Sequence, residues 1–325
     1  MTKLFEAKPF IIAEVGSNWT NFQDAKDSIQ MAKQVGADAV KFQLFDHEAL
    51  YGCPGELPHA MPLNWLPKLA DKAKAANIEF MVTAFSPELV KAVDPFVEIH
   101  KVASSDLTCP QMLEAVKATD KPVILSCGAS NKGDINLAVN GHQSIAWKGF
   151  GIHPLVLLYC NSAYPSTRHN LFLMDELKQF GRPVGLSDHS LDVIYSPLSA
   201  VRHFGAVVIE KHFKLRDDMQ TPDAGHSLNP DAFKCMVDYI RGNRDGGLNP
   251  TSEEKAMFLR HNRRLVAVKD IAPGELLQFG VNFGCYRSLE DDSNGVMGFA
   301  WEAIHGKTAR QAIKAGKGLS ISEVQ

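Results

Sequence analysis

Eight short runs rich in β-forming residues alternate with eight helical patterns over the first 240 residues, and no other feature restricts the fold so strongly. The runs are Phe10–Val15, Ala39–Gln43, Glu79–Thr83, Glu98–Val102, Val123–Ser126, Leu155–Tyr159, Pro183–Leu186 and Val207–Lys211. Helical patterns occupy Asn21–Val35, Asn64–Ala76, Pro87–Val93, Pro110–Ala118, Asp134–Trp147, Leu173–Phe180, Ile194–Phe204 and Pro230–Ile240. The first has Ala25, Ile29 and Ala32 on one face and stops at Gly36. Strands joined by crossover helices run parallel, because the connection is too long for a hairpin. Eight such units predict a closed (β/α)8 barrel rather than an open doubly wound sheet. An open sheet usually carries a Gly-rich phosphate turn after its first strand. Here that stretch reads Glu14-Val15-Gly16-Ser17-Asn18-Trp19, which is not G-x-G-x-x-G.

The pattern changes near residue 245. Gly246-Gly247-Leu248-Asn249-Pro250-Thr251-Ser252 reads as a boundary, which predicts a barrel domain over 1–248, a linker over 249–263 and a small β-rich domain over 264–325. That last stretch repeats itself. Ala267, Ile271, Gly274 and Leu277 recur at the spacing of Ala309, Ile313, Gly316 and Leu319, each copy reading as strand, Gly turn and second strand. Gly316-Lys317-Gly318 lacks P-loop spacing and reads as a β-turn.

Lys plus Arg (34) nearly balance Asp plus Glu (37), so no clustered excess of cations marks a nucleic-acid binder. No run of about 18 apolar residues exists, so no membrane helix is expected. The first nine residues contain no apolar core of a secretory signal. The cysteines Cys53, Cys109, Cys127, Cys160, Cys235 and Cys285 are scattered without a C-x-x-C pair. They read as inert thiols of a cytoplasmic protein.

In a barrel of this kind, chemistry gathers at the C-terminal ends of the strands. There the chain places Glu14; Lys41 and Gln43; Thr83; Lys101, Ser104, Ser105 and Asp106; Ser126; Asn161, Ser162 and Tyr164; Ser187, Asp188 and His189; and Glu210, Lys211 and His212. One polar strand end is ordinary, whereas eight on one rim exceed what solvation requires. Lysines with hydroxyls are phosphate-binding chemistry. His189 and His212, on neighbouring strands beside Asp188 and Glu210, form a plausible divalent-metal pair. Asp38 and Asp188 can equally be turn or cap residues, and Trp65 and Trp147 packing residues.

These segments resemble the sialic acid synthase family. The resemblance is carried by Ile12-Ala13-Glu14-Val15-Gly16-Ser17-Asn18, Gly36-Ala37-Asp38-Ala39-Val40-Lys41-Phe42-Gln43, Lys101-Val102-Ala103-Ser104-Ser105-Asp106, Ser162-Ala163-Tyr164-Pro165, Gly185-Leu186-Ser187-Asp188-His189 and Glu210-Lys211-His212. Thr221-Pro222-Asp223 with Ser227-Leu228-Asn229-Pro230 resembles the family's last active-site loop, and the C-terminal repeat its antifreeze-like (SAF) domain. The resemblance implies a TIM barrel followed by that domain. It implies metal-dependent condensation of phosphoenolpyruvate with an N-acylated hexosamine, such as N-acetylmannosamine, to a sialic acid-type nonulosonic acid and phosphate.

It also implies roles. Lys41, Thr83, Lys101, Ser104, Ser126, Ser187 and either Asn161 or Ser162 would hold phosphoenolpyruvate, and His189 and His212 would bind Mn2+ or Mg2+. Glu14, Gln43, Tyr164 and Asp223 would contact the sugar, with Arg287 offered to the partner subunit's site in a domain-swapped homodimer. Asp106 would handle the attacking water, and Glu14, Lys101 and Glu210 complete the catalytic group. A barrel aldolase, either metal-dependent or with Lys101 or Lys211 as a Schiff-base lysine, and a non-catalytic sugar-phosphate binder remain open alternatives. One residue departs from the family pattern, which reads Asn-His where this chain has Asn18-Trp19. Trp19 either borders the sugar subsite or packs beneath the loop.

Overall fold

The computed structural model describes residues 8–167, 169–242, 263–289 and 295–325. The chain divides into two compact units, Met1–Asn243 and Arg244–Gln325. Residues 249–262 of the expected linker lie outside the described residues.

Eight parallel strands close the first unit into a barrel in sequence order, with the first hydrogen-bonded to the eighth. They are β1 (Phe10–Gly16), β2 (Ala39–Leu44), β3 (Glu79–Ala84), β4 (His100–Val102), β5 (Val123–Ser126), β6 (Leu155–Cys160), β7 (Val184–Asp188) and β8 (Val208–His212). Two-residue periodicity sends alternate side chains inward. Phe10, Ile12, Ala39, Met81, Ile99, Ile124, Val156, Leu158 and Val208 make one apolar cluster inside the barrel. The outward set, including Ile11, Val40, Phe42, Val82 and Leu125, joins the larger core shared with the helices. Two residues further along several of these strands, the inward positions turn polar, at Glu14, Lys41, Thr83, Lys101, Ser126 and Glu210. The apolar layer therefore forms a plug beneath a polar mouth. Gly185 is needed in that plug, because a Cβ there would run into Leu158 and the Val208 carbonyl.

The helices start where short polar side chains can cap them. Asn21 accepts from the backbone of Gln23 and Asp24, Ser86 from Leu89, Asn229 from Ala232, and Asn131 forms a capping box with Asp134. One expected helix is shorter than its pattern. The stretch Asp134–Trp147 is helical only within Lys132–Asn140. Gly141 ends it at φ 66°, and a Cβ there would meet the returning backbone at Lys148. Trp147 folds back and donates from Nε1 to the Ala138 carbonyl at 2.9 Å, so it is core without being helical.

In the second unit, β9 (Arg264–Ala267) pairs antiparallel with β10 (Phe283–Tyr286). The two repeat copies bind each other. Ile271 and Ile313 exchange backbone hydrogen bonds, Gly274 N–H donates to Ala309, and Gly316 N–H donates to Ala267. Both glycines sit at φ above +80°, the left-handed turn geometry that a repeated Gly announces. Ala267, Ile271, Leu277, Ala309, Ile313 and Leu319 all belong to its core. The second copy is held by isolated bridges rather than by full strands.

Candidate active site

The polar mouth opens into a cavity of about 710 Å3, lined by residues from all eight strands or the loops that follow them. Its floor is an ionic cluster. Lys41 Nζ lies 2.6 Å from Glu14 Oε2 and 3.6 Å from Glu210 Oε2, and Lys101 Nζ lies 3.7 Å from Glu210 Oε1. Thr83 Oγ1 accepts from Lys41 at 3.0 Å, Ser187 Oγ donates to Glu210 at 3.0 Å, and Gln43 Nε2 donates to Glu14 at 2.9 Å. All four charged side chains are buried. Burial raises the Glu14 pKa, aided by the neighbouring Glu210 and opposed by Lys41. Burial also lowers that of Lys101, against the pull of Glu210. For Glu210 burial acts upward, but Lys101 and Lys41 outweigh it and hold the carboxylate low. Lys41 stays high because Glu14 and Glu210 outweigh the cost of its burial. The floor thus carries two firm charges, Lys41 and Glu210, and two groups that burial pushes toward neutrality.

One wall is made of imidazoles. The His189 and His212 rings are 5.3 Å apart, and His212 and His226 4.5 Å apart. Tyr164 stacks on His189 at 4.1 Å, although the residue as a whole is more than half exposed. His189 Nδ1 is 2.9 Å from the Asn161 carbonyl, which assigns the proton to Nδ1 and leaves Nε2 as the lone-pair nitrogen. Buried His212 Nδ1 and His226 Nε2 have no hydrogen-bond partner. Burial lowers the His189 pKa to about 4 and that of His212 well below the ordinary value, so both rings are neutral near pH 7. Neutral imidazoles with unpaired buried nitrogens are the donor set a divalent metal requires, so these residues fit such an ion.

A third feature fixes the loop after β8. Fully buried Asn18 donates to the Phe213 carbonyl at 3.0 Å and to Ser227 Oγ at 2.7 Å, and accepts from Thr221 Oγ1 at 2.7 Å. Ser227 Oγ in turn donates to the Asp223 carbonyl at 2.6 Å. Asp223 Oδ2 accepts from Ser17 N–H at 2.9 Å. Gly16, at φ 56°, leaves the room, since a Cβ there would collide with that carboxylate.

Most of the residues expected from the sequence meet here. Glu14, Lys41, Gln43, Thr83, Lys101, Ser104, Ser126, Ser162, Tyr164, Ser187, His189, Glu210, His212 and Asp223 all line the cavity. Of the two candidates at the end of β6, Ser162 lines it. Asn161 instead accepts from Ala163 N–H and offers its carbonyl to His189. Asp106 is not on the lining. It ends the Ser104–Asp106 turn, half-buried, where burial raises its pKa to about 6 against the opposing charge of Lys101. Lys211 is also outside the cavity, fully buried and bonded to Asp188 at 2.7 Å, Ser190 and the Asp192 carbonyl. That leaves Lys101 as the accessible lysine of the two considered for a Schiff base. Arg287 belongs to the second unit, where it is exposed. Trp19 does not line the cavity and packs between Trp65 at 5.0 Å and His59 at 6.3 Å. His226 was not singled out from the sequence. Its signal was a His directly before the Ser227-Leu228-Asn229-Pro230 segment, in a loop rather than at a strand end. Burial drives the Cys127 thiol up to about 12 and raises that of Cys160, so neither offers a thiolate.

Three comparisons with known proteins bear on this site. A family model described as the NeuB family matches residues 57–245. The N,N'-diacetyllegionaminic acid synthase of Campylobacter jejuni is 33% identical over 335 residues, 94% of this chain and 97% of that one. The pseudaminic acid synthase of Helicobacter pylori is 29% identical over 349 residues, 98% of each chain. Among solved structures, N-acetylneuraminic acid synthetase from Leptospira borgpetersenii, in complex with citrate, aligns with a TM-score of 0.65 at 29% identity, covering 77% of this chain and 90% of that one.

Proposed function

The chain belongs to the NeuB family, and on that premise we propose that it condenses phosphoenolpyruvate with the open-chain aldehyde of an N-acylated hexosamine to give a nonulosonic acid. The observation that carries the reading is the division of one cavity into a cationic, hydroxyl-lined floor and an imidazole wall. The floor suits a phosphorylated carboxylate, and the wall suits a metal facing a carbonyl.

Lys41 and Lys101, with Thr83, Ser104, Ser126, Ser162 and Ser187, receive the phosphate and carboxylate of phosphoenolpyruvate. Ser126 Oγ is buried and has no protein partner, which suits a hydroxyl that donates to an anion. Glu14, whose proton affinity burial has raised, can accept a proton and release Lys41 toward the phosphate. Gln43, Tyr164 and Asp223 orient the sugar. A divalent Mn2+ or Mg2+ held by His189 and His212 would supply Lewis-acid polarisation of the aldehyde. C3 of phosphoenolpyruvate bonds to the aldehyde carbon, water adds at C2, and the C2–O bond to phosphate breaks, releasing inorganic phosphate. Asp106 assists the water from the same turn as Ser104. The enzyme works as a homodimer in which Arg287 of one copy serves the other copy's mouth. Mixing Arg287→Ala chains with Lys41→Ala chains then restores part of the lost activity, and no recovery in confirmed mixed dimers removes that assembly.

The reaction is tested by phosphate release from phosphoenolpyruvate with Mn2+ and a panel containing N-acetylmannosamine and 2,4-diacetamido-6-deoxyhexoses. Stoichiometric phosphate and a condensed product by mass spectrometry are expected with at least one sugar. Release with none rejects the reading. Borohydride trapping of a substrate on Lys101 would point instead to an aldolase.

A further inference from the structure

Lys211 lies between Glu210 and His212 on β8, but strand alternation turns it away from the cavity. Its side chain and that of Asp188, at the end of β7, are both fully buried. The ammonium donates to Asp188 Oδ2 at 2.7 Å, to the Asp192 carbonyl at 2.8 Å and to Ser190 Oγ at 3.2 Å, which occupies its three N–H groups. Asp188 Oδ1 accepts from Ser190 N–H at 2.8 Å and lies 3.4 Å from His169 Nε2. We propose that this buried pair is a positioning device. It fastens the loops after β6 and β7 to the end of β8, and so sets where Tyr164 stands in the mouth. The proposal rests on the reading above for Tyr164 as a sugar contact and goes beyond it in naming what holds that ring.

The bonds run from the pair into both loops. In the loop after β7, Asp192 N–H donates to Ser190 Oγ at 3.1 Å. The Asp192 carboxylate accepts from the N–H groups of Ile194, Tyr195 and Ser196, where the helix Tyr195–Arg202 starts. In the loop after β6, His169 Nε2 is 3.4 Å from both Asp188 Oδ1 and Ser166 Oγ. Ser166 N–H donates to the His189 carbonyl at 3.1 Å. Tyr164, two residues before Ser166, is more than half exposed and meets the wall through ring contacts, so its place depends on the path of this loop. A buried ion pair is a poor source of stability, because the cost of desolvating two charges offsets their attraction and apolar residues of similar volume often do as well. An apolar pair would fill the same space but could not hold three strand ends by directed bonds. The charges are therefore better explained by geometry than by stability.

The test uses the full-length protein and separates stability from position. Lys211→Met leaves Asp188 buried without its cation and should melt well below the wild type. Adding Asp188→Leu should restore most of the melting temperature, because the space is refilled without charge. Position should not return with it. In the double variant the KM for the sugar that gives turnover should stay raised roughly tenfold or more, with the phosphoenolpyruvate KM within about threefold of the wild type. Backbone amides of residues 161–166 should exchange with deuterium about tenfold faster or more, with β1 to β5 unchanged. His169→Leu keeps the pair and cuts its link to the loop after β6, and should show the same faster exchange with a smaller rise in sugar KM. Wild-type exchange and sugar KM in the double variant overturn the proposal. If the Lys211 variants do not fold, the same result in His169→Leu overturns it. Faster exchange with an unchanged sugar KM would make the pair a structural clasp and end its role in the reaction. If the wild type releases no phosphate with any sugar, the reaction falls, and exchange at 161–166 still decides the fastening.

Discussion

The floor and the imidazole wall of the mouth are equally buried, yet they satisfy their polar groups in opposite ways. On the floor each charged side chain has an opposite charge within 4 Å. On the wall, His212 and His226 keep nitrogens with no protein partner. The floor is therefore a set of internal contacts that an anion can exchange for its own. The wall offers lone pairs that no protein group uses. A substitution on the floor should damage both folding and function, and one on the wall function alone.

The largest effect is expected at Lys41. Lys41→Met leaves Glu14 and Glu210 buried beside each other without their shared cation. Breaking a buried pair from one side costs about 3–5 kcal/mol. The variant should melt well below the wild type and show no turnover. Adding Glu14→Gln should recover much of the stability and none of the activity. A Lys41→Met protein with wild-type melting would show that the floor is not held together by these charges. Next comes His189→Ala on the wall. Its ring is neutral, bonded to the Asn161 carbonyl and in looser contact with Cys160 Sγ at 3.8 Å. Turnover should fall at least 100-fold with melting nearly unchanged, and full activity after chelator treatment would end its role toward a metal.

A smaller effect separates Asp106 from both regions. Its carboxyl titrates near 6 because burial disfavours the charged form. A carboxylate that helps the water must be ionised, so turnover should fall as pH drops through about 6, and Asp106→Asn should lose that limb along with most of its rate. The stability effect has the opposite sign. A raised native pKa contributes stability that is complete below the unfolded value and is lost as pH rises through about 6. Asp106→Asn should accordingly be more stable than the wild type at pH 8 and gain little at pH 4. A low-pH limb retained by the Asn variant would place the titrating group elsewhere.

Much of this was legible before any coordinates. Period-two alternation in a parallel barrel puts strand-end residues such as Lys41, Thr83, Ser126 and Glu210 inside one rim, because two-residue steps above an apolar plug must face the mouth. What escaped lies off the strands. His226 and Asn18 act through a loop whose path is decided by hydrogen bonds far apart in sequence, from Asn18 to Ser227, and no periodicity reports such contacts. Asp106 shares a segment with Ser104, but the tight turn sends the two side chains to different places. The overlong helix at Asp134–Trp147 came from apolar spacing that continues past Gly141, where backbone geometry, not hydrophobicity, ends the helix.

The smallest effect is expected at Trp19, the second residue of the Asn18-Trp19 pair. Lying just after β1, it could be expected to shape the sugar subsite. Its surroundings say otherwise. The ring is buried in the barrel's outer core, edge-on to Trp65, against which Phe22 also packs at 5.0 Å. Buried Trp19 Nε1 finds no acceptor, so the residue works here as an apolar body and its polar edge is a cost. Trp19→His would remove much of that apolar contact and leave a cavity beside Trp65, lowering stability by about 1–3 kcal/mol. Selectivity should barely move. The ratio of kcat/KM between N-acetylmannosamine and a 2,4-diacetamido-6-deoxyhexose should stay within about threefold of the wild type. A residue contacting the sugar would shift it by roughly 10- to 200-fold. A shift of that size with unchanged melting would move Trp19 from the packing layer into the subsite, and sugar choice would then be set from beneath the loop as well as from the mouth.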